Sequence, residues 1–131
     1  MKAIRISTPK EGLVNITRQV EEVLAGHTGL VYLFVPHTTC GLTVQEGADP
    51  DVAHDLLARL EELAPRVHPK DRHAEGNSHA HLKSLLTGVH LLLPAEGGEA
   101  SAWPLAAGFS GGVRRAEDAG GVGQAPLAGP A

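Results

Sequence analysis

The stretch His73-Ala-Glu-Gly-Asn-Ser-His-Ala-His-Leu-Lys83 puts three imidazoles, a carboxylate, an amide, a hydroxyl and an ammonium into eleven residues. Neutral imidazoles bind divalent metals, and imidazoles and carboxylates move protons near neutral pH. Two ring nitrogens from this stretch, with a third donor from another strand, would make an open divalent site whose remaining position holds water. His79 and His81 are two residues apart, so they face apart on a regular helix and converge only at an irregular helix start. The alternative is a solvated loop whose histidines do nothing specific. Neither His-Glu-x-x-His nor Cys-x-x-Cys is present to decide between them.

A second polar cluster follows an apolar run. His37-Thr-Thr-Cys40 leaves that run at a place where scaffolds present working side chains. His37 reads as a metal ligand, a general base, or a turn histidine bonded to a backbone carbonyl. Cys40 reads as a nucleophile or, more simply, as a small packing residue. Glu46 and Asp49 bracket a glycine turn. Asp49 suits a helix cap, a role compatible with catalysis, and Glu46 is the better proton-transfer candidate. Lys83 falls near the start of a short helix, where N–H groups and an ammonium together favour an anion such as a phosphorylated ligand. A solvated lysine is the plainer alternative.

The elements that must position these groups are readable from hydrophobic periodicity. Residues 3–8 alternate as a half-buried strand, and residues 9–12 make a turn. Ile16, Val20, Val23 and Leu24 share one helical face, capped by Asn15 and ended by Gly26. Residues 29–36 form a continuous apolar run, the pattern of a buried central strand. Residues 42–46 alternate again. Asp49-Pro50 then starts the strongest helix, with a core stripe of Val52, Leu56, Leu57, Leu60 and Leu63 and an Asp55–Arg59 ion pair, stopping before Pro65. Residues 65–72 are a polar loop. Leu82, Leu85 and Leu86 mark a short helix that Asn77 or Ser78 caps and Gly88 ends, and residues 89–94 are a strand.

Composition narrows the function classes. A chain of 131 residues, 42% hydrophobic and 20% charged, is one domain with a real core. The net charge of -4 lacks the basic footprint of nucleic-acid binding, and Tyr32, Phe34, Trp103 and Phe109 are too few to stack bases. The single cysteine gives no internal disulfide and fits a reducing compartment, and no apolar run approaches membrane-helix length. These features lead us to expect a cytoplasmic protein.

Two motifs carry a family resemblance. His37-Thr-Thr-x-x-Leu-Thr-Val-x-Glu46-x-x-Asp49-Pro-Asp51, followed by His73-x-Glu75-Gly-Asn77-x-x-Ala-His81-x-Lys83, resembles the YjbQ family over residues 1–98, whose members include secondary thiamine-phosphate synthases. The resemblance implies an α+β fold with mixed sheets packed sandwich-fashion, two to three helices, and a homotrimer with sites near subunit contacts. It implies a reaction joining a pyrimidine pyrophosphate to a thiazole phosphate, which requires a divalent metal (zinc or magnesium) or cationic groups to stabilise departing pyrophosphate. By position, His37, His73 and His81 would be metal ligands, Glu46 and Asp49 catalytic, and Asn77 and Lys83 phosphate-binding. A trimeric binder of small ligands without catalysis is the reading from a different class.

Residues 99–131 depart from that pattern. The Gly/Ala-rich tail shows no strand or helix period and reads as a poor contributor to the core. Family members close with Gly-Thr-Trp-Gln-Gly and a later Glu-x-Asp-Gly-Pro-Arg, and this chain has neither. A frameshift near codons 97–101 would account for this, because residues 112–118 can be encoded so that the shifted frame gives Glu-Phe-Asp-Gly-Pro-Arg. Such a shift, if carried by the molecule, would cost the fold two sheet strands.

Overall fold

A computed structural model describes residues 2–7 and 11–109, and the backbone of 121–124. The order is β1 (Lys2–Arg5), β2 (Gly12–Asn15), α1 (Thr17–Leu24), β3 (Gly29–Phe34), β4 (Cys40–Val44), α2 (Pro50–Leu63), α3 (Ser78–Thr87), β5 (His90–Glu96), β6 (Glu99–Ala100), β7 (Pro104–Gly108) and β8 (Gly121–Gln124). A five-stranded sheet runs β1-β8-β3-β5-β6 and a three-stranded sheet runs β2-β7-β4. The fold is α+β, as the resemblance implies, but every strand pair described is antiparallel rather than mixed.

The main core lies between the sheets and α1. Val31, Leu33 and Leu93 from one sheet meet Leu42 and Ala106 from the other, with Ile16, Val20 and Leu24 of α1. The α1 face read from sequence is therefore the buried one. Asn15 accepts the Thr17 N–H through Oδ1 at 3.0 Å, and Ala25 and Gly26 turn left-handed to end the helix. On its other face the small sheet carries α2 and α3. Ala80, Ala107 and Phe109 form a second cluster there, flanked by Leu13, Leu57 and Leu60.

Two helices behave differently from their sequence pattern. Asp49 caps α2 with Pro50 at its start, as expected. No residue of α2 is fully buried, however, and Leu63 is 70% exposed, so its stripe only rests against the second cluster. The expected Asp55–Arg59 pair is replaced by Asp55 with His54 at 3.1 Å and Arg59 with Glu62 at 3.9 Å. In α3 the polarity is inverted. His79, Ala80, Lys83 and Ser84 are buried, whereas Leu82, Leu85 and Leu86 are exposed, Leu85 by 77%.

The tail also departs from expectation. Pro104 to Gly108 form the central strand of the small sheet, pairing with β2 on one side and β4 on the other, and every residue of it is buried. Phe109 is fully buried, its N–H bonded to the Thr39 carbonyl. Alanine and glycine succeed here because the strand is covered on both faces, where small side chains let α3 approach at Ala107. Both strands that a shifted frame would remove are formed. Residues 112–118, on which the shifted reading rests, lie outside the described residues.

Candidate functional site

The segment 73–83 divides at the start of α3. His73 and His81 come together, ring centres 5.6 Å apart and planes at 76°, an edge-to-face contact. Glu75 reaches His73 at 3.9 Å from the exposed loop. Asn77 sits at the N-cap, yet its side chain makes no capping bond, and its Oδ1 is buried without a partner. An orphaned acceptor of this kind needs a donor or a cation to satisfy it.

His81 also lines a hollow of about 410 Å³ with Thr38, Ser84, Leu85, Gly88 and Val89. Thr38 lies in the β3–β4 connection directly after His37, so one residue of the first polar cluster shares this hollow with His81. His37 itself is half-buried. Ser84 donates to the Cys40 carbonyl, which ties α3 to the start of β4. Cys40 is buried in the main core, in keeping with its packing reading.

Glu46 and Asp49 stand at the far end of β4, both exposed. The N–H groups of Ala48 and Asp49 donate to Glu46 Oε1 at 2.9 and 3.3 Å, and the Asp51 N–H donates to Asp49 Oδ1 at 2.9 Å. Both carboxylates thus organise the turn into α2. Their spacing around Gly47 is what a turn requires, and it is also what suggested chemistry.

Lys83 occupies neither solvent nor an open anion site. Its side chain is fully buried, and Nζ donates to Glu11 at 2.7 Å and to Glu61 at 3.3 Å. Glu11 further pairs with Arg66 at 3.1 Å, and Glu61 accepts the Arg66 N–H at 2.8 Å. Burial alone would raise the Glu61 pKa, but the Arg66 N–H and the Lys83 ammonium together hold it below its ordinary value. His79, next to this cluster, is held below its ordinary value first by burial and then by the charges of Lys83 and Arg66. Glu11, Glu61 and Arg66 were not singled out from sequence. Glu11 and Glu61 lie 72 and 22 residues from Lys83, and no local spacing announces such partners.

Two imidazoles and an orphaned amide oxygen are a donor set that suits a divalent cation. Among the described residues of one chain, no three His, Cys, Asp or Glu side chains are grouped to hold a metal.

The comparisons agree with this architecture. Residues 2–103 match the family described as UPF0047 protein YjbQ-like. The chain is 43% identical over 102 residues to UPF0047 protein YugU of Bacillus subtilis, covering 75% of this chain and 77% of that one. Its fold is similar to the crystal structure of conserved hypothetical protein TT1486 from Thermus thermophilus, with TM-score 0.89 and 62% identity over 97% of this chain and 100% of that one. A YjbQ/UPF0047-family protein from Clostridium acetobutylicum superposes with TM-score 0.79 and 31% identity, covering 95% and 96% of the two chains. By sequence match and by fold alike, the chain belongs to the YjbQ-like UPF0047 family.

Proposed function

We propose that the chain is a metal-assisted enzyme acting on phosphorylated heterocycles, resembling the synthases that join a pyrimidine pyrophosphate to a thiazole phosphate and release pyrophosphate. The observation that carries this reading is the contact of His73 with His81, four residues after Asn77, whose Oδ1 is buried without a partner. A divalent cation held through His73 and His81, completed by His37 or a neighbouring copy, would supply a Lewis acid for the departing pyrophosphate; imidazole donors favour zinc over magnesium. Asn77 binds at the phosphate end. Lys83 supports this site by anchoring α3 to Glu11 and Glu61 rather than by touching phosphate. Glu46 would be the proton-transfer group, entering this site from a neighbouring copy because within one chain it stands at the far end of β4, and Asp49 positions it through the bond of its N–H to the Glu46 carboxylate.

Assembly as a homotrimer fits the same reading. Leu82, Leu85 and Leu86 form an exposed apolar face beside His81, and Leu85 lines the hollow that His81 lines. A neighbouring copy covering that face would close the hollow and bring a further donor.

The second reading is a small-ligand-binding protein without catalysis. It is favoured by the engagement of both Glu46 and Asp49 in turn and cap bonds. Metal analysis of the purified chain, with an assay for joining pyrimidine pyrophosphate to thiazole phosphate, separates the two. Stoichiometric metal that is lost in His81→Ala, with turnover that falls in Glu46→Gln, is expected of the enzyme. Absence of both metal and turnover in the wild-type chain abandons it for the binder.

A further inference from the structure

A cavity of about 670 Å³ lies at the end of the large sheet where β3 begins and the β5–β6 hairpin turns. That volume falls within the roughly 300–1,000 Å³ of sites for small organic molecules. Its walls are mostly apolar. Leu30 and Pro94, opposite one another on β3 and β5, line it together with Ala95 and Ala100.

The hairpin tip at its rim is firmly held. Gly97 and Gly98 both turn left-handed, as a two-residue hairpin connection requires. The Gly97 N–H donates to the Thr28 hydroxyl, the Gly98 N–H to the His27 carbonyl and the Ala100 N–H to the Glu21 carboxylate, each at 2.9 Å. A Cβ at Gly98 would stand 2.9 Å from the Gly26 backbone, so the tip sits directly on the end of α1. The cavity is therefore built before any ligand arrives.

This tip carries two carboxylates. Glu96 and Glu99 are directly opposed across β5 and β6, which puts their side chains next to each other on one face, and both line the cavity. Like charges in that relation destabilise a strand pair. Among the described residues, no cationic side chain pairs with either one to offset the repulsion. A cation placed between them offsets it, and the apolar walls beside them suit a hydrocarbon body.

From this charge complementarity we infer that the cavity binds a small amphipathic organic cation. Its apolar body lies against Leu30, Pro94 and Ala100, and its ammonium lies between Glu96 and Glu99. A bare metal ion would leave the apolar walls unused, and a neutral molecule would leave the two carboxylates facing each other. The inference does not depend on the reaction proposed above. Thr38, which shares the hollow of His81, follows the opposite end of β3.

The test is titration of the full chain with phenethylammonium, followed by the amide resonances of Leu30, Ala95 and Ala100. These are expected to shift saturably, with phenethyl alcohol, the neutral counterpart, binding about tenfold more weakly. Glu96→Gln and Glu99→Gln should each weaken binding of the cation about threefold, and added salt should weaken it further. Both side chains are exposed, so folding should be unchanged in thermal melting. Resonances that stay still into the high-millimolar range overturn the inference. Equal binding of the alcohol also overturns it, leaving only an apolar groove. So does calcium moving the same signals at lower concentration than phenethylammonium, or shifts that follow protein concentration without any probe, which would assign the groove to a second copy.

Discussion

On one side of α3, Lys83 and Ser84 are buried and bonded, to Glu11 and Glu61 and to the Cys40 carbonyl. On the other, His81 meets His73 beside an open hollow, and Leu82 and Leu85 face outward. Both sides come from one short polar stretch, yet one acts as a clamp and the other stays open to solvent. Residue type does not distinguish them. A charged group that has found its partners inside the fold is spent on structure, and a polar group without one remains available to a ligand.

The largest expected effect tests the clamp. Lys83→Ala leaves the Glu11 carboxylate largely buried with only Arg66 for compensation, and should cost about 3–5 kcal/mol in urea unfolding. Replacing both partners, Lys83→Met with Glu11→Leu, should recover most of that loss, since apolar groups there carry no desolvation penalty. If the single substitution proves neutral, the clamp is not holding α3 and the contrast between its two sides fails.

Acid should loosen the clamp side next. His79 has its pKa depressed below 6.5, so the unfolded chain takes up the proton first; stability is full above that pH and declines as pH falls through the folded value. Glu61 is depressed below 4.5, so its contribution is present above that pH and disappears as pH falls through its own folded value. Unfolding free energy measured against pH should therefore fall in two phases, and His79→Gln should abolish the upper one.

The smallest stability effect belongs to the open side. His81→Ala is expected to change stability by no more than about 1 kcal/mol, because His81 is only partly buried and its ring contact with His73 is exposed. A much larger loss would mean that His81 is a second structural anchor.

Much of the frame was legible in the chain. The α1 face, the Asp49-Pro50 start of α2, the apolar β3 run and the Gly88 stop of α3 follow local rules, because each depends on neighbours within one or two turns. The first motif was legible as polar residues, but the bonds of Glu46 and Asp49 show them shaping a turn. The tail was misread for the opposite reason. β7 lacks the bulky residues that announce a strand, and its place comes from distant pairings, with Val44 opposite Pro104 and Gly12 opposite Gly108. Sequencing codons 97–101 decides the shifted-frame reading directly: an insertion or deletion supports it, and an unbroken frame ends it.

The sequence by itself determined the family, the α+β class, and which two stretches hold the ligand-type side chains, since these reside in residue order and short-range periodicity. Only the tertiary structure decided that Lys83 is buried between Glu11 and Glu61, that the leucines of α3 face outward, and that His73 stands against His81 while His79 is buried. The physical reason is that burial and charge pairing depend on what packs against a group. For α3 those neighbours come from β4, from Glu11 just before β2, and from α2 with the loop after it, and no window along the chain contains them.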